Sequence, residues 1–493
     1  MVELLSLQTK FKRFHMRWIS TLSLFILTAF SALAADAGYK IKVKVNGVKD
    51  SACYLAYYFG DKQYLKDTAK ADKAGNFTFD GKKTLDGGLY LVVLPKKRFF
   101  QIIIDKEQNF YVETDTSDLD KLKFKGSEEN DLYYNYVVFI SGKFKKREEL
   151  SKEFGKETDK KSEKAESLKK ELIKLDKEVK DEWARILKEH PNSFTAKIMI
   201  KPQMEPEIPE APILPNGRKD STFAYQYYKA HYWDNIDLSD DRILRTPQFH
   251  GKLDYFFKNV VIQTPDSIIP EADKMIARVK GNTELSKYVL WYLTYSYEVS
   301  NIMGMDAVFV HVVEKYYTKP VVTWLDSTAF YRVTAKAKSM KPLLLGKKAP
   351  PLVLVDTMGN YSSLYNVKAK YTVIMFWDPD CGHCQKEVPR LAASYDSIKT
   401  LHGEVFGVMG TPEADKWKKF ILKHNLKWIN VGDPEYHNNF REVYDLKSYP
   451  QIYILNENKE IIARKIGTEQ VVDFLQRYER MQERKKADEK KKL

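Results

Sequence analysis

Residues 371–377, YTVIMFW, form an unbroken apolar run that gives way at once to DPDCGHC. An apolar strand without polar alternation belongs in a parallel sheet covered on both faces, so this stretch commits the C-terminal part of the chain to an α/β layer architecture. The surrounding pattern agrees. A helix-like stretch runs from Cys381 to Leu401, EVFGVM (404–409) reads as a second strand, and ADKWKKFILKHN (414–425) reads as a helix. QIYIL (451–455) and EIIARKI (460–466) flank a hairpin turn, and TEQVVDFLQRYERM (468–481) closes the region as a helix.

At 493 residues the chain is too long for one hydrophobic core, and several domains are expected. Residues 36–125 read as an all-β, sandwich-like domain. IKVKVNGVKDSACYLAYYF alternates around Asn46-Gly47, a strong turn signal, and NFTF, LYLVVL, FFQIIID and NFYVET follow at roughly ten-residue spacing. Residues 126–340 read as a helical region. Leu168, Leu172, Leu175, Val179, Trp183 and Ile186 recur every three or four residues, and 16 Lys/Arg and 13 Asp/Glu lie between 141 and 190. Such mixed charge is a solvated helical face, with a coiled-coil partner as the other reading. Five prolines within 201–215 mark a loop, either a domain joint or an extended recognition segment.

The formal charge of +14 is unevenly placed: residues 1–35 carry net +3 and residues 480–493 net +4. The remaining excess is mild and does not argue for nucleic acid, so the aromatics of AYQYYKAHYWDN (224–235) are read as a packing face. His311, in AVFVHVV, is read as a satisfied core histidine. Lys10, Lys12, Arg13 and Arg17 precede WISTLSLFILTAFSALA, which ends in Ala32-Leu33-Ala34. A basic region, a short apolar core and a small-residue site describe a secretory signal peptide over 1–35, with an uncleaved anchor as the alternative. The region from Met16 onward suffices alone for such a signal. No later segment approaches the length of a spanning helix, so an exported, periplasmic, soluble mature chain is expected.

Export leaves structural disulfides open, yet three cysteines are too few for a disulfide scaffold. Cys381 and Cys384 stand at the end of a buried strand and the start of a helix. The unpaired N–H groups and positive dipole end there favour thiolate over thiol at Cys381. Cys384 lies one turn on, within reach for a Cys381–Cys384 disulfide. Gly382 permits close approach of a partner chain, and His383 adds positive charge or a hydrogen bond beside the sulfur. Zinc would need a second pair of soft ligands, which is missing although His383 and His402 are near. A c-type haem site would need histidine where Gln385 stands. A purely structural staple closes too small a loop to contribute much. Redox chemistry is the reading that remains. Cys53 is read as a buried strand residue.

Phe376-Trp377, Cys381-Gly382-His383-Cys384 and Pro389 resemble the active-site strand and helix of the thioredoxin-like superfamily. Tyr449-Pro450, just before QIYIL, matches that family's cis-proline beside the dithiol, and Gly467 matches a glycine after its last hairpin. The resemblance covers roughly 345–481 and implies a C-terminal α/β thioredoxin fold over 341–481, followed by a basic tail at 482–493. GKKAPPLVLVDTMGNYSSLYNV (346–367) resembles the opening of the exported TlpA/ResA-type branch, with an added N-terminal hairpin, and the stretch near 411–431 leaves room for that branch's extra helix and strand. The whole layout resembles multidomain members of that branch. Met375 stands where cytosolic thioredoxins carry a buried acid; the branch tends to use a glutamate from the inserted segment, and Glu413 is the nearest candidate, a solvated helix-start residue being its other reading. The Gly-His dipeptide is the one found in disulfide isomerases. Peroxidase relatives need Pro-x-x-x-Thr-x-x-Cys, whereas Pro379 stands two residues before Cys381.

The resemblance implies a thiol–disulfide oxidoreductase acting on protein thiols and disulfides, with reductase the favoured direction. Cys381 would attack, Cys384 would resolve, Tyr449 and Pro450 would meet the substrate chain, and Trp377 would pack beneath the active-site loop. No cofactor or metal is implied, and the redox partner is an unidentified membrane or periplasmic protein. Gly-His pulls toward an isomerase or oxidant, from roughly −270 toward about −180 mV. An exported binding or assembly protein, with the dithiol secondary, is the rival reading.

Overall fold

Strand β1 (Tyr39–Asn46) alternates buried and exposed residues along its length, as a strand with one face on a core must. It opens the first of two units into which the chain divides, between Asp254 and Tyr255. The computed structural model describes residues 38–492; the expected signal peptide over 1–35 lies outside the described residues. After β1 come β2 (Ala52–Phe59), β3 (Lys62–Lys70), β4 (Asn76–Gly81), β5 (Gly88–Val93), β6 (Phe99–Ile104), β7 (Asn109–Asp115) and β8 (Asp118–Lys125). They form two four-stranded sheets, ordered β4-β1-β7-β8 and β3-β2-β5-β6. Ile41, Phe79 and Val112 of one sheet share a core with Cys53, Leu55 and Ile102 of the other. The sandwich-like reading thus holds, with one refinement. The turn at Gly47 forms with φ +87°, but β1 pairs with β4 and β7, and β2 pairs with β3 and β5. Asn46-Gly47 passes the chain between sheets instead of closing a hairpin.

Helices α1 (Glu128–Lys156) and α2 (Glu163–Glu189) form an antiparallel pair, capped by Ser127 and Ser162. Asn130 ties α1 to β6 by copying a strand partner: its side chain donates to the Ile103 carbonyl at 2.7 Å and accepts from the Ile103 N–H at 2.8 Å. Lys143–Glu178 at 2.5 Å and Arg147–Asp176 at 3.5 Å cross between the helices. The charged stripe is therefore satisfied partly within its own helix pair. Residues 204–212 carry no regular structure; α3 (Phe223–His231) follows, and α4 (Pro247–Tyr255) ends one residue past the division. The expected helical region 126–340 is helical on both sides of the division at Asp254/Tyr255.

The second unit opens with α5 (Pro265–Val279), α6 (Thr283–Glu298), α7 (Asp306–Tyr316) and α8 (Ser327–Met340). His311 is half-buried, not a core residue, and its Nε2 meets the Asp273 carboxylate at 2.8 Å. There follow β9 (Val353–Asp356), β10 (Tyr361–Ser363), β11 (Tyr371–Trp377), α9 (Cys384–Ala393), α10 (Tyr395–Thr400), β12 (Gly403–Met409), α11 (Ala414–His424), β13 (Ile429–Gly432), α12 (Phe440–Val443), β14 (Gln451–Leu455), β15 (Ile461–Arg464) and α13 (Val471–Lys492). The seven strands order as β10-β9-β13-β12-β11-β14-β15, with β11 parallel to β12 and antiparallel to β14. Two expected boundaries move. The helix expected from Cys381 begins at Cys384 and is interrupted at Ser394, and the closing helix runs through the expected tail to Lys492.

The helices α5–α8 are joined to this sheet by a buried ion pair. Asp306, at the start of α7, and Arg464, at the end of β15, meet at 2.9 Å with side chains 2% and 4% exposed. Arg464 also donates to the Leu343 carbonyl at 2.9 Å. The pair is close but out of line for a hydrogen bond, so both Asp306 oxygens and Arg464 Nε lack hydrogen-bond partners. Removing one member leaves the other charge buried alone, at about 3–5 kcal/mol. Asp306→Ala is therefore expected to lower the thermal midpoint of the second unit, while Asp306→Leu with Arg464→Met restores most of it. Scanning calorimetry on the full chain reads both, and a single variant melting with the parent would contradict the assignment.

Candidate active site

All seven residues of β11 are buried. Its continuous apolar sequence is what lets it lie between β12 and β14, with helices over both faces. The chain leaves the sheet at Trp377 and turns through Asp378-Pro379-Asp380, where the Asp378 carboxylate accepts the Asp380 N–H at 2.8 Å and its carbonyl accepts the Cys381 N–H at 3.2 Å. Cys381 is half-buried just ahead of α9, and Cys384 is the first residue of that helix, with no exposed surface. Both are free thiols in this structure. Pro389 lies inside α9, as expected from its position after the motif.

The two cysteines differ in setting. Burial pushes the Cys384 thiol well above the ordinary thiol range; an Asp378 backbone amide opposes this, while the Cys381 thiol and the Asp378 carboxylate add to it. Its proton is held through neutral pH. Cys381 instead points its sulfur at the carbonyl oxygen of Tyr449, 3.3 Å away. The Tyr449-Pro450 peptide is cis.

A closed circuit of contacts fixes that arrangement. Gly410, just past the end of β12, donates its N–H to the Trp377 carbonyl at 2.7 Å. The Gly410 carbonyl accepts from Arg441 Nε at 2.9 Å and from the Tyr449 hydroxyl at 3.4 Å. Tyr449 then meets Cys381, which returns to Asp378 and Trp377. Arg441 is held in turn by the rings of Tyr436 and Phe440, each 4.5 Å from its guanidinium carbon, and by Asp433 at 3.6 Å. Gly410 and Arg441 carry no motif, and the sequence reading passed over both. Gly410 could have been noticed as the residue ending GVMG before Thr-Pro.

The other expected residues fall as follows. Trp377 is fully buried in the core that includes Cys384, its ring 4.8 Å from Phe420. Gly382 and His383 are exposed; a Cβ added at Gly382 would meet nothing within 4 Å, so no contact inside this chain requires glycine there. Glu413 stands apart from the pair. It precedes α11, half-exposed, with its carboxylate 3.6 Å from Lys416, which is the solvated helix-start alternative. The carboxylate whose charge bears on Cys384 is that of Asp378. Met375 is buried in the same core and brings no acid. Cys53 lies on β2 in the first unit, its thiol pushed up to about 11 by burial. Among the described residues no group of His, Cys, Asp and Glu could hold a metal ion, and no helix is long and apolar enough to cross a membrane.

Residues 345–464 match the AhpC/TSA family. Residues 39–133 and 154–340 match two domains of unknown function, DUF4369 and DUF5106. Thiol-disulfide oxidoreductase ResA of Bacillus subtilis is 29% identical over 123 residues, which is 25% of this chain and 68% of the relative. A solved domain of a possible thiol-disulfide isomerase from Cytophaga hutchinsonii is 43% identical and covers 29% of this chain and 97% of its own, with a TM-score of 0.27. A thioredoxin-like protein from Bacteroides caccae is 20% identical over 55% of this chain and 99% of its own, with a TM-score of 0.44. The C-terminal part of the chain is a thioredoxin-like domain of the ResA type, carried behind an N-terminal β domain.

A Cβ at Gly410 would stand 2.4 Å from the Tyr449 ring. Gly410→Ala is therefore expected to push Tyr449 and its carbonyl away from Cys381 and to slow disulfide reduction by about tenfold or more. Insulin reduction by the full chain measures this; an unchanged rate would contradict the positioning role of the circuit.

Proposed function

We propose that this thioredoxin-like thiol–disulfide oxidoreductase works as an exported reductase of protein disulfides. The observation that carries the reading is the asymmetry of the pair: one accessible sulfur against the cis-proline loop, one buried thiol that keeps its proton. Cys381, as thiolate, attacks one sulfur of the substrate disulfide. A mixed disulfide forms and the second substrate sulfur leaves with the bonding electron pair, to be protonated to a thiol. Cys384 then gives up its proton and attacks the Cys381 sulfur. Its electron pair makes the Cys381–Cys384 disulfide, and the first substrate sulfur leaves as the second thiol. Two electrons pass from the enzyme dithiol to the substrate, and an external dithiol must return them.

Further roles follow. The Tyr449 carbonyl, facing the reactive sulfur, receives an extended substrate backbone in the manner of strand addition. Gly382 and His383, both exposed, keep the approach open. Support for reduction comes from the resemblance of 346–367 to the opening of the exported TlpA/ResA-type branch, and support for export from the signal-like sequence at 1–35.

Cys384→Ser in the full chain, mixed with oxidised insulin, is expected to accumulate a covalent adduct that dithiothreitol dissolves, and Cys381→Ser is expected to form none. An adduct on the Cys381→Ser chain, or its absence from Cys384→Ser, would sink the assignment of roles. The direction is read separately by equilibrium with glutathione: a potential well above the isomerase value of about −180 mV contradicts a reductase.

A further inference from the structure

The opposite end of the thioredoxin-like sheet carries a second feature. There β11 begins at Tyr371, β12 begins at Gly403, and the turn between β14 and β15 closes at Lys459. Seven residues of extended strand set that end about 20 Å from the dithiol end. A pocket of about 700 Å³ opens among these turns, lined by Lys348, Lys368, Lys370, Lys399, Lys459 and His402, with Glu457 the sole carboxylate in the lining.

Two of these lysines are neutralised from outside the pocket: Lys370 by Glu479, and Lys399 by Glu404 at 3.0 Å. The rest are not. Lys348 and Lys368 form no salt bridge among the described residues. Lys459 is buried, and its Nζ finds only uncharged acceptors, the Val367 carbonyl and Thr372 Oγ1, both at 2.9 Å. Burial, and then Lys368, press on it to lose its proton. Like charges gathered in a concavity repel one another, and a bound anion relieves the repulsion. Lys348 and Lys368, with Lys459 behind them, outnumber Glu457 and leave the lining net positive, which suits the anionic oxygens of a phosphate monoester. Lysine, a compact charge with three donors, suits that group. Helix α13 reaches the rim through one residue. Glu479 joins it to Lys370 and Tyr371 at the rim, and beyond that point Arg480, Arg484, Lys485 and Lys486 are exposed.

We propose that this pocket binds a phosphate monoester group, carried either by a small phosphorylated molecule or by a lipid headgroup. Bound there, the ligand lies at the far end of the sheet from Cys381 and leaves the dithiol free for its substrate.

Titration calorimetry of the reduced full chain with inorganic phosphate, at fixed ionic strength, tests the pocket. Lys348→Gln with Lys368→Gln is expected to weaken binding by about tenfold or more, since hydrogen bonds to charged groups contribute most. Lys423→Gln with Lys427→Gln, equal in charge and exposed elsewhere on the domain, is expected to bind as the parent does. Sedimentation with phosphatidylcholine vesicles doped with phosphatidic acid separates the sources. Capture lost in the Lys348/Lys368 variant assigns the headgroup, and phosphate binding without capture assigns a soluble ligand. The proposal is overturned if the parent shows neither saturable phosphate binding nor capture, or if the Lys348/Lys368 variant matches the parent in both.

Discussion

Strand β11 is buried from end to end, and the chemistry of the second unit hangs from its last residue. A strand covered on both faces cannot shift register or tilt without breaking its core, so Trp377 is a fixed point. The dithiol lies a few residues beyond it. The same fixed point receives Gly410, which holds Arg441 and Tyr449, and Tyr449 faces Cys381. Backbone atoms make most of these contacts. The geometry is therefore set by the sheet, while the identities of Gly382 and His383 stay free to tune reactivity.

The asymmetry of the cysteines follows from where the helix begins. Cys384 starts α9 and turns into the core, so burial dominates its titration. Cys381 is left in the turn before the helix, half-covered, with the cis-proline loop across from it. A pair shifted by one residue would fall on 380 and 383 or on 382 and 385, all exposed positions, and neither arrangement separates an attacking sulfur from a waiting one. On the far side of the domain, the Asp306–Arg464 pair fixes α7 to the last strand, so the helices before the sheet are part of one unit with it.

Much of this was legible in the sequence where a strong local signal existed. The apolar run of β11, the cysteine spacing and Tyr449-Pro450 each point to one local structure, and together they place the site. The signal failed in three kinds of place. Strands β3 and β8 went unread because KQYLKDTAK and DLDKLKFK are edge strands laced with lysine, which protects an open edge and erases apolar alternation. The helix start at Cys384 went unread because the turn from Asp378 to His383, held by the Asp378 carboxylate and carbonyl, delays the helix past Cys381. Glu413 was singled out by nearness in sequence to an inserted segment. The chain instead turns that glutamate to Lys416.

The central claim is that one sulfur of the pair is reactive and the other is held in reserve by burial. Timed alkylation of the reduced, folded chain with iodoacetamide across neutral and mildly alkaline pH, read by mass spectrometry of the peptide holding both cysteines, tests it most directly. Label is expected on Cys381 throughout, with Cys384 modified only once the chain is unfolded. Labelling of Cys384 at a rate equal to or above that of Cys381 in the folded chain would contradict the account.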